Sequence, residues 1–116
     1  MKYQGSCHCG NVKFSAEGEI EQVIECNCSH CDRKGFLLWF IPSDKFSLSP
    51  VKTELTKYNF NTHKIDHLFC PICGIEPFAY GVDPASGTNT VAINVRCLED
   101  IDITSLKRYQ HDGKSA

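Results

Sequence analysis

Residues 69–74, FCPICG, contain two cysteines in a C-x-x-C spacing, and this stretch constrains the fold more than any other. Pro71 and Gly74 favour a tight loop in which backbone N–H groups point at both sulfurs, as in a zinc knuckle. Such a knuckle supplies two of the four ligands that a closed tetrahedral zinc site takes. The sequence therefore predicts a second pair of ligands elsewhere in the chain.

The second pair lies near the N-terminus, in the motif CHCG at residues 7–10. Cys7 and Cys9 complete a four-thiolate set with Cys70 and Cys73, and this set would join the start of the chain to its middle. Closing so long a loop restricts the unfolded chain, and zinc binding contributes directly to the folding of small domains. We expect this zinc to be structural.

A third group of cysteines, in ECNCSHC at residues 25–31, remains when that site is complete. Cys26, Cys28 and Cys31 provide three thiolates, which is the number of protein ligands that a catalytic zinc site usually has. Zinc lowers the pKa of a bound thiol or water and polarises a carbonyl group, and a sulfur-rich site suits a thiol ligand. We expect two zinc ions per chain and take these three cysteines as candidate catalytic residues.

The second site also has a structural interpretation. His8, His30 or Cys97 would close it by supplying a fourth ligand, and the protein would then be a non-catalytic, zinc-stabilised binding module. Cys97 lies in an apolar strand-like stretch and is expected to be a buried thiol without a metal. The remaining histidines have no ligand-like spacing and are expected at the surface or in turns: His63, His67 and His111.

Composition describes a globular chain. The 116 residues are 41% hydrophobic and 22% charged, which fits one domain spanning residues 1–116. A formal charge of −2 argues against nucleic-acid binding, and no apolar run approaches the ~18 residues of a membrane span. No signal peptide is visible, so we expect a cytoplasmic protein in which the clustered cysteines, seven of the eight in the chain, bind metal rather than form disulfides.

The pattern of apolar residues predicts an all-β fold of antiparallel sheets. Val12 and Phe14 alternate with polar neighbours, as in a half-buried strand. The apolar run at residues 36–41, ended by Pro42, predicts a strand that is buried on both faces. Further strands are expected around residues 20–28, 55–60, 77–82 and 90–98, with a turn at 61–64, a short helical turn within 102–109, and the cysteines at strand ends or tight turns.

Three ordered motifs resemble the glutathione-dependent formaldehyde-activating enzyme family, which also contains centromere protein V. They are GSCHCGNVKF from residue 5, CNCSHC from residue 26 and YNFNTHKIDHLFCPICGIEPF from residue 58. The resemblance covers residues 5–98 and implies a β-tent fold, a compact arrangement of twisted antiparallel sheets. It also implies a structural zinc on the outer two cysteine pairs and a catalytic zinc on Cys26, Cys28 and Cys31.

The family's activity implies a reaction for this chain. It is the formation of a carbon–sulfur bond between glutathione and formaldehyde, which gives S-hydroxymethylglutathione. The resemblance thus implies a zinc-dependent carbon–sulfur lyase whose partners are a small-molecule thiol and an aldehyde, with glutathione as a substrate. Arg33, Lys34 and Lys64 are candidates for binding the glutathione carboxylates, although each also fits an ordinary solvated surface charge.

Overall fold

β-Strands are the main regular structure of the protein. A computed structural model describes residues 1–49, 55–59, 65–83 and 86–112, and ten strands and one α-helix lie within these ranges. In chain order they are β1 (Lys2–Ser6), β2 (Lys13–Glu17), β3 (Val23–Cys26), α1 (Ser29–Lys34), β4 (Leu38–Pro42), β5 (Phe46–Ser49), β6 (Thr56–Tyr58), β7 (Asp66–Phe69), β8 (Phe78–Val82), β9 (Asn89–Asn94) and β10 (Arg108–His111). The predicted all-β class is confirmed.

The strands form two sheets. A three-stranded sheet has the order β1-β2-β5, and a seven-stranded sheet has the order β10-β3-β4-β9-β8-β7-β6. Neighbouring strands run antiparallel, except that β10 runs parallel to β3. Strand β3, which ends at Cys26, therefore lies between β10 and β4, whereas β7, which leads into Cys70, lies near the opposite edge.

Aromatic side chains join the two sheets. Phe14 on β2 stacks on Phe46 of β5 with 5.6 Å between ring centroids, and Phe46 contacts Phe78 of β8 at 4.7 Å. Tyr3 on β1 makes an edge contact with Trp39 on β4 at 5.5 Å. Large aromatic rings bury much apolar surface and dominate the hydrophobic free energy of a small core. One face of the seven-stranded sheet is therefore occupied by packing against the smaller sheet.

The other face of the seven-stranded sheet has small side chains at its centre. The strand register brings Phe40 of β4, Ala92 of β9, Ala79 of β8 and His67 of β7 into one row. Residues paired across strands share a face, so these four side chains are neighbours. The two alanines leave a depression between Phe40 and His67, and this depression is the floor of the cavity described below.

The apolar run at residues 36–41 contains β4, but the prediction that both of its faces are buried is wrong. Trp39 and Ile41 are buried, whereas Phe40 between them is 51% exposed. Side chains alternate between the two faces of a strand, and Phe40 borders the cavity instead of contacting a second layer. The run is apolar on both sides because a packed core lies on one side and a cavity on the other.

Helix α1 begins within the third cysteine group, where the sequence predicts cysteines at strand ends or tight turns. The Sγ of Cys28 caps its N-terminus by accepting the Cys31 backbone N–H, and Gly35 ends it in the left-handed conformation at φ 68°. The helix is only six residues long, which is less than two full turns, so the sequence shows no helical periodicity of apolar residues here. The helix matters for the site because its first residues hold two of the candidate ligands.

The other predicted elements are found with shifted limits. Strands expected around residues 20–28, 55–60, 77–82 and 90–98 are present as β3, β6, β8 and β9. The helical turn expected within residues 102–109 is a 3-10 turn at Ile103–Ser105, which β10 follows. Residue 60 and the turn expected at residues 61–64 lie outside the described residues.

Candidate metal centres and the adjoining cavity

The first cysteine group has the spacing of a tetrahedral metal site. Cys7 directly follows β1 and Cys70 directly follows β7, so the group connects the two sheets. Cys9 and Cys73 complete the group, and its four sulfurs lie within 4.8 Å of one another. Cys9 Sγ is 3.7 Å from Cys7 Sγ and 3.6 Å from Cys70 Sγ. Thiolates at the usual Zn–S length of about 2.3 Å stand ~3.8 Å apart in a tetrahedron. The group therefore fits zinc.

Backbone N–H groups stabilise thiolates in this first group. The Ile72 N–H points at Cys70 Sγ over 3.4 Å, as expected for a knuckle. Hydrogen bonds from the backbone of Ile75 and Cys9 lower the pKa of Cys73 to about 6. Metals bind the thiolate rather than the thiol, so these donors prepare the knuckle to act as a ligand pair.

The second cysteine group is built from a strand end and a helix start. Cys26 ends β3, Cys28 caps α1 and Cys31 lies within the helix, and their sulfurs lie within 4.8 Å of one another. The backbone nitrogen of Cys28 is 3.5 Å from Cys26 Sγ, and that of Cys31 is 3.3 Å from Cys28 Sγ. Three sulfurs held in this way fit the three protein ligands of an open zinc site.

The three thiols of this trio differ in acidity. Burial raises the pKa of Cys26 and of Cys31 above the ordinary thiol value. Burial also acts on Cys28, but hydrogen bonds from the Cys31 backbone and from the neighbouring thiols outweigh it, so the pKa of Cys28 is lowered. Cys28 is therefore the thiol of the trio that ionises most readily.

A cavity of about 600 Å³ opens beside the trio. Cys26, Cys28 and Cys31 line it together with His67 and Glu76. Among the residues that the structure describes, none of the four cysteines of the first group lines this cavity. The two groups thus differ in access, since one faces space for a small molecule and the other ties two sheets together.

Glu76 organises the polar groups next to the trio. Its Oε2 is 3.0 Å from His67 Nδ1, and its Oε1 is 3.4 Å from Lys34 Nζ and 3.7 Å from His30 Nε2. Glu76 is only 4% exposed, and a buried carboxylate is costly unless it is paired and hydrogen-bonded. The surrounding lysine and imidazoles supply those partners.

The prediction that His67 is a surface or turn residue is wrong. His67 lies on β7, is 6% exposed and shares its face with the cavity floor. Glu76 was not singled out from the sequence at all, although it follows the C-x-x-C knuckle by three positions. The alternation within β7, which turns His67 to the same face as Ala79, is the signal that points to the histidine.

His30, His67 and Glu76 also bring ligand-type atoms within 4.8 Å of one another. The Lys34 ammonium already provides a positive charge to the same carboxylate, which opposes a further cation there. Burial, assisted by the neighbouring His67, lowers the pKa of His30, so its imidazole is neutral at pH 7. We interpret these three residues as a hydrogen-bonded network beside the trio.

Among the described residues, the other candidates from the sequence contribute no ligand atom to either cysteine group. Cys97 is half-buried in a 3-10 turn at Val95–Cys97 rather than in a strand, and burial raises its pKa to about 11. His8 is exposed, and His111 is exposed on β10 at the cavity rim. Arg33 donates to the Ser29 carbonyl over 2.9 Å. His63 and Lys64 lie outside the described residues.

Fold and cysteine geometry together define a small all-β protein with two groups of thiols spaced for zinc. Residues 2–111 match the family model described as glutathione-dependent formaldehyde-activating enzyme, and the chain belongs to that family. The resemblance found in the sequence motifs is thereby confirmed.

A solved structure supports the same grouping. The crystal structure of a Rhodobacter sphaeroides protein is similar to this chain, with a TM-score of 0.76 and 26% sequence identity. The similarity covers 94% of this chain and 100% of that chain. Among the described residues, the single short helix falls well below the length and apolarity of a membrane span.

Proposed function

We propose that the protein is a zinc-dependent carbon–sulfur lyase-type enzyme that forms or cleaves thiol–aldehyde adducts, as an S-(hydroxymethyl)glutathione synthase does. One observation carries this proposal: the cysteine trio lines a cavity, whereas the four-cysteine group does not. Membership of the glutathione-dependent formaldehyde-activating enzyme family supports thiol and aldehyde as the reacting groups.

The two cysteine groups have different roles in this proposal. Cys7, Cys9, Cys70 and Cys73 hold a structural zinc with a complete set of four ligands. Cys26, Cys28 and Cys31 would hold a catalytic zinc, and with three protein ligands this site would be open to substrate. A zinc ion with three thiolate ligands supplies Lewis acidity, which lowers the pKa of a bound thiol and polarises a carbonyl group.

His67 is the group that we propose to move the proton. The reaction breaks the S–H bond of the thiol, forms a C–S bond to the carbonyl carbon and leaves a proton on the carbonyl oxygen. Glu76 Oε2 lies 3.0 Å from His67 Nδ1 and orients this imidazole, which would accept the thiol proton and pass it to the carbonyl oxygen. Both residues line the cavity of the trio, so a substrate bound there would lie beside them.

The chemistry of the ligands favours a reducing compartment. Eight cysteines without a disulfide are typical of a protein in a reducing environment, so we propose that the protein acts in the cytoplasm. Its partners would be a small-molecule thiol and an aldehyde, with glutathione as the thiol of the family reaction.

Metal analysis combined with a turnover assay tests the proposal. The purified protein should contain two zinc ions per chain and should accelerate adduct formation between glutathione and formaldehyde above the uncatalysed rate. One zinc ion per chain, or a second ion closed by a fourth protein ligand, would instead identify a zinc-stabilised binding module.

A further inference from the structure

We infer that the aldehyde substrate carries an apolar group much larger than formaldehyde, and that the cavity beside the cysteine trio binds this group. The inference rests on the proposed function for its chemistry. The binding of an apolar group, however, is a separate physical property and is measurable without turnover.

The first argument is size. The cavity of about 600 Å³ falls in the range of ~300–1,000 Å³ that is typical of sites for small organic molecules. Formaldehyde has two non-hydrogen atoms and would leave most of this space to water. A site that acted on formaldehyde alone would gain nothing from so large an apolar chamber beside its reactive sulfurs.

The second argument is the chemistry of the walls. The floor is the row of small residues that the strand register produces, with Ala79 and Ala92 at its centre. Larger apolar side chains surround it: Ile24, Phe36, Leu38, Phe40, Ile65 and Val82. Phe40, Ile65 and Val82 are 51%, 50% and 56% exposed, so they are held in contact with solvent at the cavity. A group of exposed apolar side chains around a cavity indicates a binding site for an apolar ligand.

The third argument is charge. Asp83 and Glu76 line the cavity; Lys34 pairs with Glu76 over 3.4 Å, but the described lining residues include neither lysine nor arginine. Three thiolates on one zinc ion would add a further negative charge at the same wall. An anionic group such as a glutathione carboxylate would meet like charges here and would lose its hydration, whereas a neutral aldehyde would not. We therefore expect the charged ends of glutathione to remain in solvent and the hydrocarbon part of the aldehyde to bind in the cavity.

Unreactive primary alcohols, from butan-1-ol to octan-1-ol, test the binding step on the zinc-loaded protein. Calorimetry or NMR titration should show Kd falling about fourfold for each added methylene until the cavity is filled, since burial of one CH₂ contributes about 0.8 kcal/mol. A Kd that does not depend on chain length would overturn the inference.

Two variants locate the binding surface. Phe40→Ser and Val82→Ser each remove a half-exposed apolar side chain from the lining, so both should weaken octan-1-ol binding several-fold without unfolding the protein. Tyr109→Ser is the matched control, because Tyr109 is 55% exposed on β10 and is absent from the lining. Equal effects of all three substitutions would contradict a site in this cavity.

Turnover separates this inference from the proposed function. With glutathione as the thiol, kcat/KM for hexanal should exceed that for formaldehyde by tenfold or more. Alcohol binding without any turnover would contradict the proposed function and support the cavity inference. Turnover with formaldehyde but without a chain-length effect on Kd or kcat/KM would support the proposed function and overturn the inference.

Discussion

Cys28 and Cys73 carry the same side chain in different surroundings. Cys73 belongs to the group that connects the two sheets, and Cys28 belongs to the trio on the cavity wall. Cys73→Ser should lose the structural zinc and part of the β-sheet signal in circular dichroism, because metal binding at such a site contributes to the free energy of folding. Cys28→Ser should keep the sheet signal, lose one zinc ion per chain and lose turnover.

Zinc content and circular dichroism of the two variants, measured side by side, check this division of roles. If Cys28→Ser is as unfolded as Cys73→Ser, the two groups do not differ in the way proposed. If Cys28→Ser keeps its turnover, the trio is not the reactive site.

Glu76 gives a second prediction at the scale of single residues. Glu76→Gln keeps the shape of the side chain but removes the charge that faces Lys34 and His67. We expect a loss of about 1–3 kcal/mol in the free energy of unfolding, which is the usual cost of disrupting a buried charged hydrogen bond. Turnover should fall by about 10–100-fold, as for other residues that orient a functional imidazole.

Urea denaturation and kinetics of Glu76→Gln provide the measurement. Glu19→Gln is the control, since Glu19 is 73% exposed and, within the described part of the chain, forms one ion pair, with the N-terminal amine at 3.1 Å. The stability of this variant should change by less than about 0.5 kcal/mol. A pH–rate profile adds a measurement that would not change if Glu76 had only a structural role. The pH–rate profile of turnover should change in Glu76→Gln and stay the same in Glu19→Gln.

Single residues also show what the sequence reveals about a site. Cysteine pairs separated by one or two residues are rare by chance, so their spacing predicted both groups that the structure brings together. His67 and Glu76 are common residue types, nine positions apart, and they meet only because β7 and the segment after the knuckle fold onto each other. The residues that neighbour His67 and Glu76 in the sequence give no indication of that contact.

At the scale of elements, β1 depends on a glycine. An ideal Cβ on Gly5 would lie 2.3 Å from Phe14 Cζ and 2.9 Å from the Cys97 carbonyl oxygen. Phe14 is buried in the contact between the sheets and cannot move aside freely. Gly5→Ala should therefore destabilise the protein by about 1–3 kcal/mol, as overpacking of a core does.

Thermal unfolding of Gly5→Ala next to Gly81→Ala checks this prediction. Gly81 lies in β8, and a Cβ there would meet its nearest neighbour, Ile65 Cγ1, at an ordinary 3.8 Å. The Gly81→Ala protein should melt close to the parent temperature. A similar loss in both variants would mean that the strand backbone, rather than the contact with Phe14, is responsible.

The elements differ in how well the sequence predicts them. Strands β2, β8 and β9 contain residues of the hydrophobic core, and their apolar patterns predicted them. Strand β10 has four exposed residues and no apolar alternation, so only its backbone pairing with β3 defines it. Helix α1 is six residues long, and its Cys28 cap is not one of the usual capping residues.

At the scale of the whole molecule, the four-cysteine group links the small sheet to the large one. Removing zinc with a chelator should therefore release the N-terminal strand before the centre of the large sheet. Hydrogen exchange should accelerate most at β1 and at the knuckle that follows β7, and least at β8 and β9. Chelation should also lower the melting temperature.

The Cys28→Ser protein serves as the control for this measurement. Because it lacks the second zinc but keeps the first, chelation should release β1 in it to the same extent. A uniform acceleration of exchange across both sheets would show that the metal stabilises the whole fold at once and not the junction.

The parallel pairing of β10 with β3 has a consequence for biosynthesis. Glu25 and Gln110, which are hydrogen-bonded across this pair, are 85 positions apart. At translation rates of roughly 5–20 residues per second, the ribosome needs about 4–17 s to deliver the second strand after the first. During that interval the nascent chain presents the edge of β3, and the acidic Glu25 on this edge is of the kind that deters pairing with other polypeptides.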